Sequence, residues 1–124
     1  MKPGDVIVIY NEDIYPPKKK LSLCLSLKDN LFFLINSQSN YPFSLAIDKE
    51  NHKFLKRDSY ICCGRIFSYP KEKIEKVLKD KSLTVGKLVA DKVIELINYL
   101  SNVKTLNKEE KNIIMNSFKT SNIL

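Results

Sequence analysis

The stretch Leu21-Ser22-Leu23-Cys24-Leu25-Ser26-Leu27 alternates without a break between leucine and a small polar or thiol residue. Successive side chains of an extended chain point to opposite faces, so the four leucines share one face and Ser22, Cys24 and Ser26 the other. The pattern predicts a half-buried β-strand. Strand signals continue on both sides. Asp5-Val6-Ile7-Val8-Ile9-Tyr10, introduced by Pro3-Gly4, reads as a buried first strand, and residues 11–20 follow as a polar, proline-containing loop. Asp29-Asn30 supplies a tight turn into a third strand, Leu31 to Ile35. A fourth runs from Phe43 to Ile47, and a fifth from Ser59 to Phe67 after the connection 48–58. Five short, closely spaced strands predict a small β-barrel or a strongly bent sheet, because a flat sheet of this size leaves exposed edges.

The composition changes near Pro70, which suits the first turn of a helix. Beyond it Ile74, Val77 and Leu78 lie at helical spacing, and Leu88, Val89, Val93, Leu96, Ile97 and Leu100 form one apolar stripe that predicts a second helix from about Val85 to Leu100. Asn107 followed by Glu109 and Glu110 marks a third helix start, with carboxylates facing the positive end of the helix dipole. The fold class is therefore mainly β with two or three C-terminal helices. Residues 1–70 are expected to form the barrel, and residues 71–124 a helical extension packed on it or on a partner chain, within a single compact domain.

A chain of 124 residues suits one domain. With 44% apolar residues it has enough to build a core, and 21 Lys+Arg against 14 Asp+Glu give a net charge of +7 that suits an anionic partner. That excess is spread along the chain: ten basic against seven acidic residues in 1–70, and eleven against seven in 71–124. No apolar run approaches the ~20 residues of a membrane span, and a soluble, cytoplasmic protein with no membrane partner is expected. Cys24, Cys62 and Cys63 are an odd count without the spacing of a disulfide framework or a zinc site, so no metal and no cofactor is expected. Only Gly4, Gly64 and Gly86 are glycines, which excludes a phosphate-binding P-loop.

The opening Lys2-Pro3-Gly4-Asp5-Val6-Ile7-Val8, a loop with a basic end, the strand Leu23-Cys24-Leu25-Ser26 and a further strand ending Leu34-Ile35-Asn36-Ser37 resemble the MazF/PemK-like toxins over residues 2–70. The resemblance implies an SH3-like β-barrel with added helices. It also implies a toxin-like endoribonuclease of a toxin–antitoxin system that cleaves single-stranded RNA without metal, acts as a homodimer and is neutralised by a cognate antitoxin. In that family an arginine, usually followed by proline, ends the loop before the second strand, and here Lys19 and Lys20 hold the place. The threonine or serine at the end of the third strand corresponds to Ser37. Lysine holds a phosphate as a point charge, whereas arginine grips it bidentately. The later segment Asn51-His52-Lys53-Phe54-Leu55-Lys56-Arg57-Asp58-Ser59-Tyr60 is similar to an H-x-F-L-x-x-D-S-Y stretch of relatives of these toxins.

RNA cleavage through the 2′-hydroxyl requires a base, charge stabilisation at the phosphate and an acid for the leaving oxygen. His52 is the only histidine, suited by type to proton transfer, with a solvated turn residue as the plain alternative. The candidate catalytic set is thus Lys19, Lys20, Ser37 and His52. Lys18, Arg57, Ser59, Tyr60 and Arg65 are candidates for holding substrate, with Asp58 free to orient its loop. Tyr15, Tyr41 and Tyr60, flanked by polar residues or prolines, are the aromatics suited to base stacking. Ser59 lacks the partners of a hydrolase triad. The competing expectation is a noncatalytic SH3-like interaction module that binds protein or nucleic acid. A DNA-binding regulator is disfavoured by the absence of a helix-turn-helix with a basic recognition face.

Overall fold

A computed structural model of the protein describes residues 1–121. Six strands, β1 (Asp5–Asn11), β2 (Lys18–Ser26), β3 (Leu31–Asn36), β4 (Ser44–Ile47), β5 (Ser59–Phe67) and β6 (Thr84–Lys87), form one sheet in the order β4-β5-β3-β2-β1-β6. Every pairing is antiparallel. Three helices follow or interrupt it: α1 (Lys71–Lys79), α2 (Ala90–Tyr99) and α3 (Lys108–Thr120). The fold is mainly β with C-terminal helices. Its sheet stays open, because the two edge strands, β4 and β6, span four residues each and do not pair with one another.

Leu21, Leu23 and Leu25 face the main core as the alternation requires, but Leu27, beyond the end of β2 and a register shift between Cys24 and Ser26, packs against the second cluster instead. Leu23 and Leu25 join Val6, Phe33, Ile35, Leu45, Ile47, Ile61 and Cys63 in the main core. Helices α2 and α3 close that core with Val93, Leu96, Ile114 and Phe118, all essentially without solvent exposure. The start of α3 is secured by a capping box: Asn107 accepts from the Glu110 N–H at 2.8 Å, and Glu110 accepts from the Asn107 N–H at 2.9 Å.

The other face of β2 departs from the half-buried expectation, since Ser22, Cys24 and Ser26 are buried as well. Helix α1 lays Ile74 and Val77 over this face, against Ile7, Ile9, Cys24, Phe32 and Tyr69. A small polar network completes the cover: the Tyr69 hydroxyl accepts from Asn11 Nδ2 at 3.1 Å and shares a 2.7 Å hydrogen bond with Ser22 Oγ. Asn30 holds Tyr69 in place, donating to its carbonyl at 2.7 Å and accepting from its N–H at 3.0 Å. Asn30 itself sits at φ 57°, in the left-handed region that asparagine tolerates better than most residues, which is what the tight turn demands.

Two further expectations are corrected. Residues 84–87, read as the entry to the second helix, form β6 and pair with β1 over Asp5↔Lys87, Val6↔Gly86 and Ile7↔Thr84. The helix begins only at Ala90. Lys18, Lys19 and Lys20, read as the end of a loop, belong to β2 and pair with Asn11, Tyr10 and Ile9.

Candidate functional site

The strand geometry sorts the three lysines. With a period of two, Lys18 and Lys20 share the face that carries Ser22 and Cys24, whereas Lys19 falls out of step with them and lies at the edge beside α1. Helix α1 covers only part of that face. Beyond the Asn11–Ser22–Tyr69 network the surface of β2, β3 and β5 is open, walled by the β1–β2 loop on one side and the β3–β4 loop on the other.

The result is a groove with two adjoining parts that share Ile14, Tyr15, Leu34, Asn36 and Tyr41. The polar part, about 290 Å³, is completed by Lys18, Lys20, Ser37, Gln38 and Asn40. The apolar part, about 400 Å³, is completed by Asp13, Pro42, Cys62, Gly64, Arg65, Phe67 and Thr105. Tyr15, 98% exposed, and Tyr41, 52% exposed, present their rings from the two walls.

At the junction the side chains are connected. Lys20 Nζ donates to Asn36 Oδ1, and Asn36 Nδ2 donates to Cys62 Sγ at 3.3 Å. Burial pulls the Lys20 ammonium below the usual lysine value, and the neighbouring positive charge of Lys18 adds to the effect. Burial pushes the Cys62 thiol upward, so it stands in the groove as a neutral thiol, not a thiolate nucleophile. The other thiols lie inside the protein. Cys24 is pushed up to about 12 by burial, and Cys63, on the main-core side of β5, is raised further for the same reason. Arg65 places its guanidinium 4.3 Å from the centre of the Phe67 ring, which fixes a positive charge at the rim of the apolar part. No cluster of three His, Cys, Asp or Glu side chains suited to a metal ion occurs among the described residues.

The structure brings together Lys18, Lys20, Ser37 and Arg65, and it separates the rest of the candidate set. Lys19 lines a different depression with Tyr10, Lys73 and Lys76. Tyr60 shares the groove's face through its pairing with Asn36, yet it does not line either part. Arg57 is exposed in the connection between β4 and β5. Ser59 is buried opposite Ile47 and donates to the Arg57 carbonyl at 2.9 Å, a local turn bond that occupies its hydroxyl.

His52 is neither solvated nor near the groove. It is 1% exposed, its Nε2 accepts the Val89 N–H at 3.2 Å, and its Nδ1 lies 3.0 Å from the Asp48 carbonyl. An acceptor at Nε2 and a carbonyl at Nδ1 are satisfied together only by the Nδ1–H tautomer. The ring of Phe54 packs edge-on to His52 at 5.8 Å and fills the space over Gly86, where an added Cβ would come within 2.3 Å of Phe54 Cδ1. The segment 48–58 is thus a clasp that ties the β4–β5 connection to β6 and the start of α2. Asp58 serves it as its position suggests, accepting the Lys49 N–H at 2.9 Å.

Sequence reasoning missed Asp13, Asn36 and Cys62 as groove residues. The register signal for Asn36 was present, since it follows Leu34 by two and shares its face, whereas Asp13 reaches the groove only through the path of its loop. No protein-family model and no curated protein matches the chain. Among the described residues no helix is long and apolar enough to cross a membrane.

Proposed function

We propose that the protein binds single-stranded RNA in this groove. The observation that carries the reading is the convergence of Lys18, Lys20, Ser37 and Arg65 on one concave surface flanked by the exposed rings of Tyr15 and Tyr41. Cations that track the phosphates, combined with aromatic faces for unpaired bases, are the two requirements for holding a single strand. A duplex would not expose its base faces to such rings. The reading agrees with the MazF/PemK-like resemblance, which places the loop before β2 and the end of β3 at the substrate.

A second reading, metal-independent cleavage by a toxin-like endoribonuclease, is favoured by Lys20. Its lowered affinity for a proton makes the neutral amine more available as a base toward a 2′-hydroxyl, and Ser37 supplies a neighbouring donor. On that reading a second copy of the chain and an antitoxin are the expected partners, the antitoxin acting by occupying the groove. The same groove without proton transfer corresponds to a noncatalytic interaction module.

One experiment separates these outcomes. Purified protein is titrated into a labelled mixed-sequence RNA in EDTA, binding is read by fluorescence anisotropy, and the same samples are resolved on a denaturing gel. Binding that is lost in Lys18→Ala/Lys20→Ala supports the groove, and products ending in a 2′,3′-cyclic phosphate that disappear in Lys20→Met support cleavage. Absence of binding sinks the RNA reading, and binding with intact RNA leaves the module.

A further inference from the structure

We propose that the apolar part of the groove is a guanine pocket, in which Asp13 and Arg65 read the base while Lys18 and Lys20 hold the adjoining phosphate. The inference rests on the RNA-binding reading above and names the base that reading leaves open. A cavity of about 400 Å³ falls within the ordinary range of small-ligand sites. It adjoins the polar part across Tyr15, Leu34, Asn36 and Tyr41, so a phosphate on one side and its base on the other are neighbours, as they are in a nucleotide.

The only two charged side chains in the lining carry the argument, since Asn36 and Thr105, its amide and its aliphatic hydroxyl, already hydrogen-bond within the protein. The backbone N–H of Asp13 donates to Asn11 Oδ1 at 2.8 Å, which fixes the residue in its loop. Among the described residues its carboxylate makes neither a hydrogen bond nor an ion pair. Arg65 also forms no ion pair with any described residue, and its guanidinium is held over Phe67. Asp13 and Arg65 thus border one cavity as an acceptor-only and a donor-only group, with no ion pair between them.

Guanine alone among the four bases answers both. Its N1–H and N2 amino group are adjacent donors for a carboxylate, and its O6 and N7 are adjacent acceptors for a guanidinium. Adenine and cytosine each set one amino group beside a ring-nitrogen acceptor that repels a carboxylate. Uracil offers one N–H between two carbonyls. The base faces would be covered by Tyr15, Tyr41 and Leu34, which contribute stacking without choosing among bases.

The test uses fluorescein-labelled 2′-fluoro hexanucleotides, which lack the attacking hydroxyl and stay intact. The sequences are UUGUUU, UUAUUU, UUCUUU and UUUUUU, each measured by anisotropy against the wild type, Asp13→Asn and Arg65→Lys. The wild type should bind UUGUUU about tenfold more tightly than the other three, within the range of one good bidentate contact. Asp13→Asn should bring UUGUUU to the level of UUAUUU, any gain from the lost negative charge being shared by all four oligomers, and Arg65→Lys should erode the preference in the same direction. Circular dichroism of both variants should match the wild type, because both side chains are exposed. Equal affinity for all four oligomers, a preference for another base, or a guanine preference that survives Asp13→Asn overturns the pocket while the RNA reading stands. Failure to bind any of them overturns both.

Discussion

The two faces of the sheet have the same strands and opposite fates. On the leucine face, Leu23, Leu25, Phe33 and Ile61 are sealed by α2 and α3, and Leu96, Ile114 and Phe118 are completely buried against them. On the other face a single nine-residue helix, α1, covers only the end near Ile7, Cys24 and Phe32. The remaining surface carries Lys18, Lys20, Asn36 and Cys62 and stays open. The larger core therefore lies on one face, and the open groove with its charged side chains lies beside the smaller core on the other.

Substitutions on the sealed face should give the largest effects. Phe118→Ala empties a fully buried position between α3 and β2 and should lower unfolding stability by about 3–5 kcal/mol in urea melts, a large fraction of an ordinary domain's total. A loss under 1 kcal/mol would mean that α3 is dispensable to the core.

The clasp at His52 comes next. His52→Ala removes the acceptor of the Val89 N–H and should cost about 1–3 kcal/mol, with RNA affinity per folded molecule unchanged. A variant that folds normally but no longer binds RNA would return His52 to the site.

Lys20 sharpens the contrast because its two effects have opposite signs. Its ammonium is disfavoured by burial, so the folded chain holds that proton less firmly than the unfolded chain does. The contribution of Lys20 to stability therefore rises with pH as pH passes from the lowered folded value toward the unfolded one, and its full penalty is present below both. Lys20→Met should leave the melting temperature equal or higher and weaken RNA binding about tenfold at moderate salt, reducing the salt dependence by about one phosphate contact. In the wild type, binding should decline with rising pH before an ordinary lysine would lose its charge.

The smallest change in stability belongs to Tyr15. At 98% exposure, Tyr15→Ala should shift stability by no more than about 0.5 kcal/mol. It should still weaken RNA binding about fivefold, a loss at the low end of what one stacked base contributes. Unchanged affinity would remove that wall from the site.

Much of the fold could be read along the chain. The Leu-Ser-Leu-Cys-Leu-Ser alternation and the Asp29-Asn30 turn rest on interactions within a few residues, and each strand and turn they imply is present. The Asn107/Glu110 cap is equally local. β6 escaped notice for the opposite reason. Thr84-Val85-Gly86-Lys87 has no strong pattern of its own and is extended because β1, about 80 residues earlier, offers it an edge. The lysines 18–20 look like loop residues for a related reason: only pairing with Ile9, Tyr10 and Asn11 carries β2 that far.

For the site, Lys18, Lys20, Ser37 and Arg65 were legible by residue type, but which of the basic residues cooperate was not. His52 illustrates the limit. A histidine between Asn51 and Lys53 looks polar and exposed, and it is buried because Val89, 37 positions away, donates to it. The sequence by itself determined the strands with strong alternation, the turns, the helix start and the supply of positive charge, since these follow from neighbouring side chains and backbone preferences. Tertiary structure alone decided which face α1 leaves bare, that Lys19 is excluded, and that Asp13 and Arg65 line one cavity unpaired, because each depends on strand register and loop path between residues far apart in the chain.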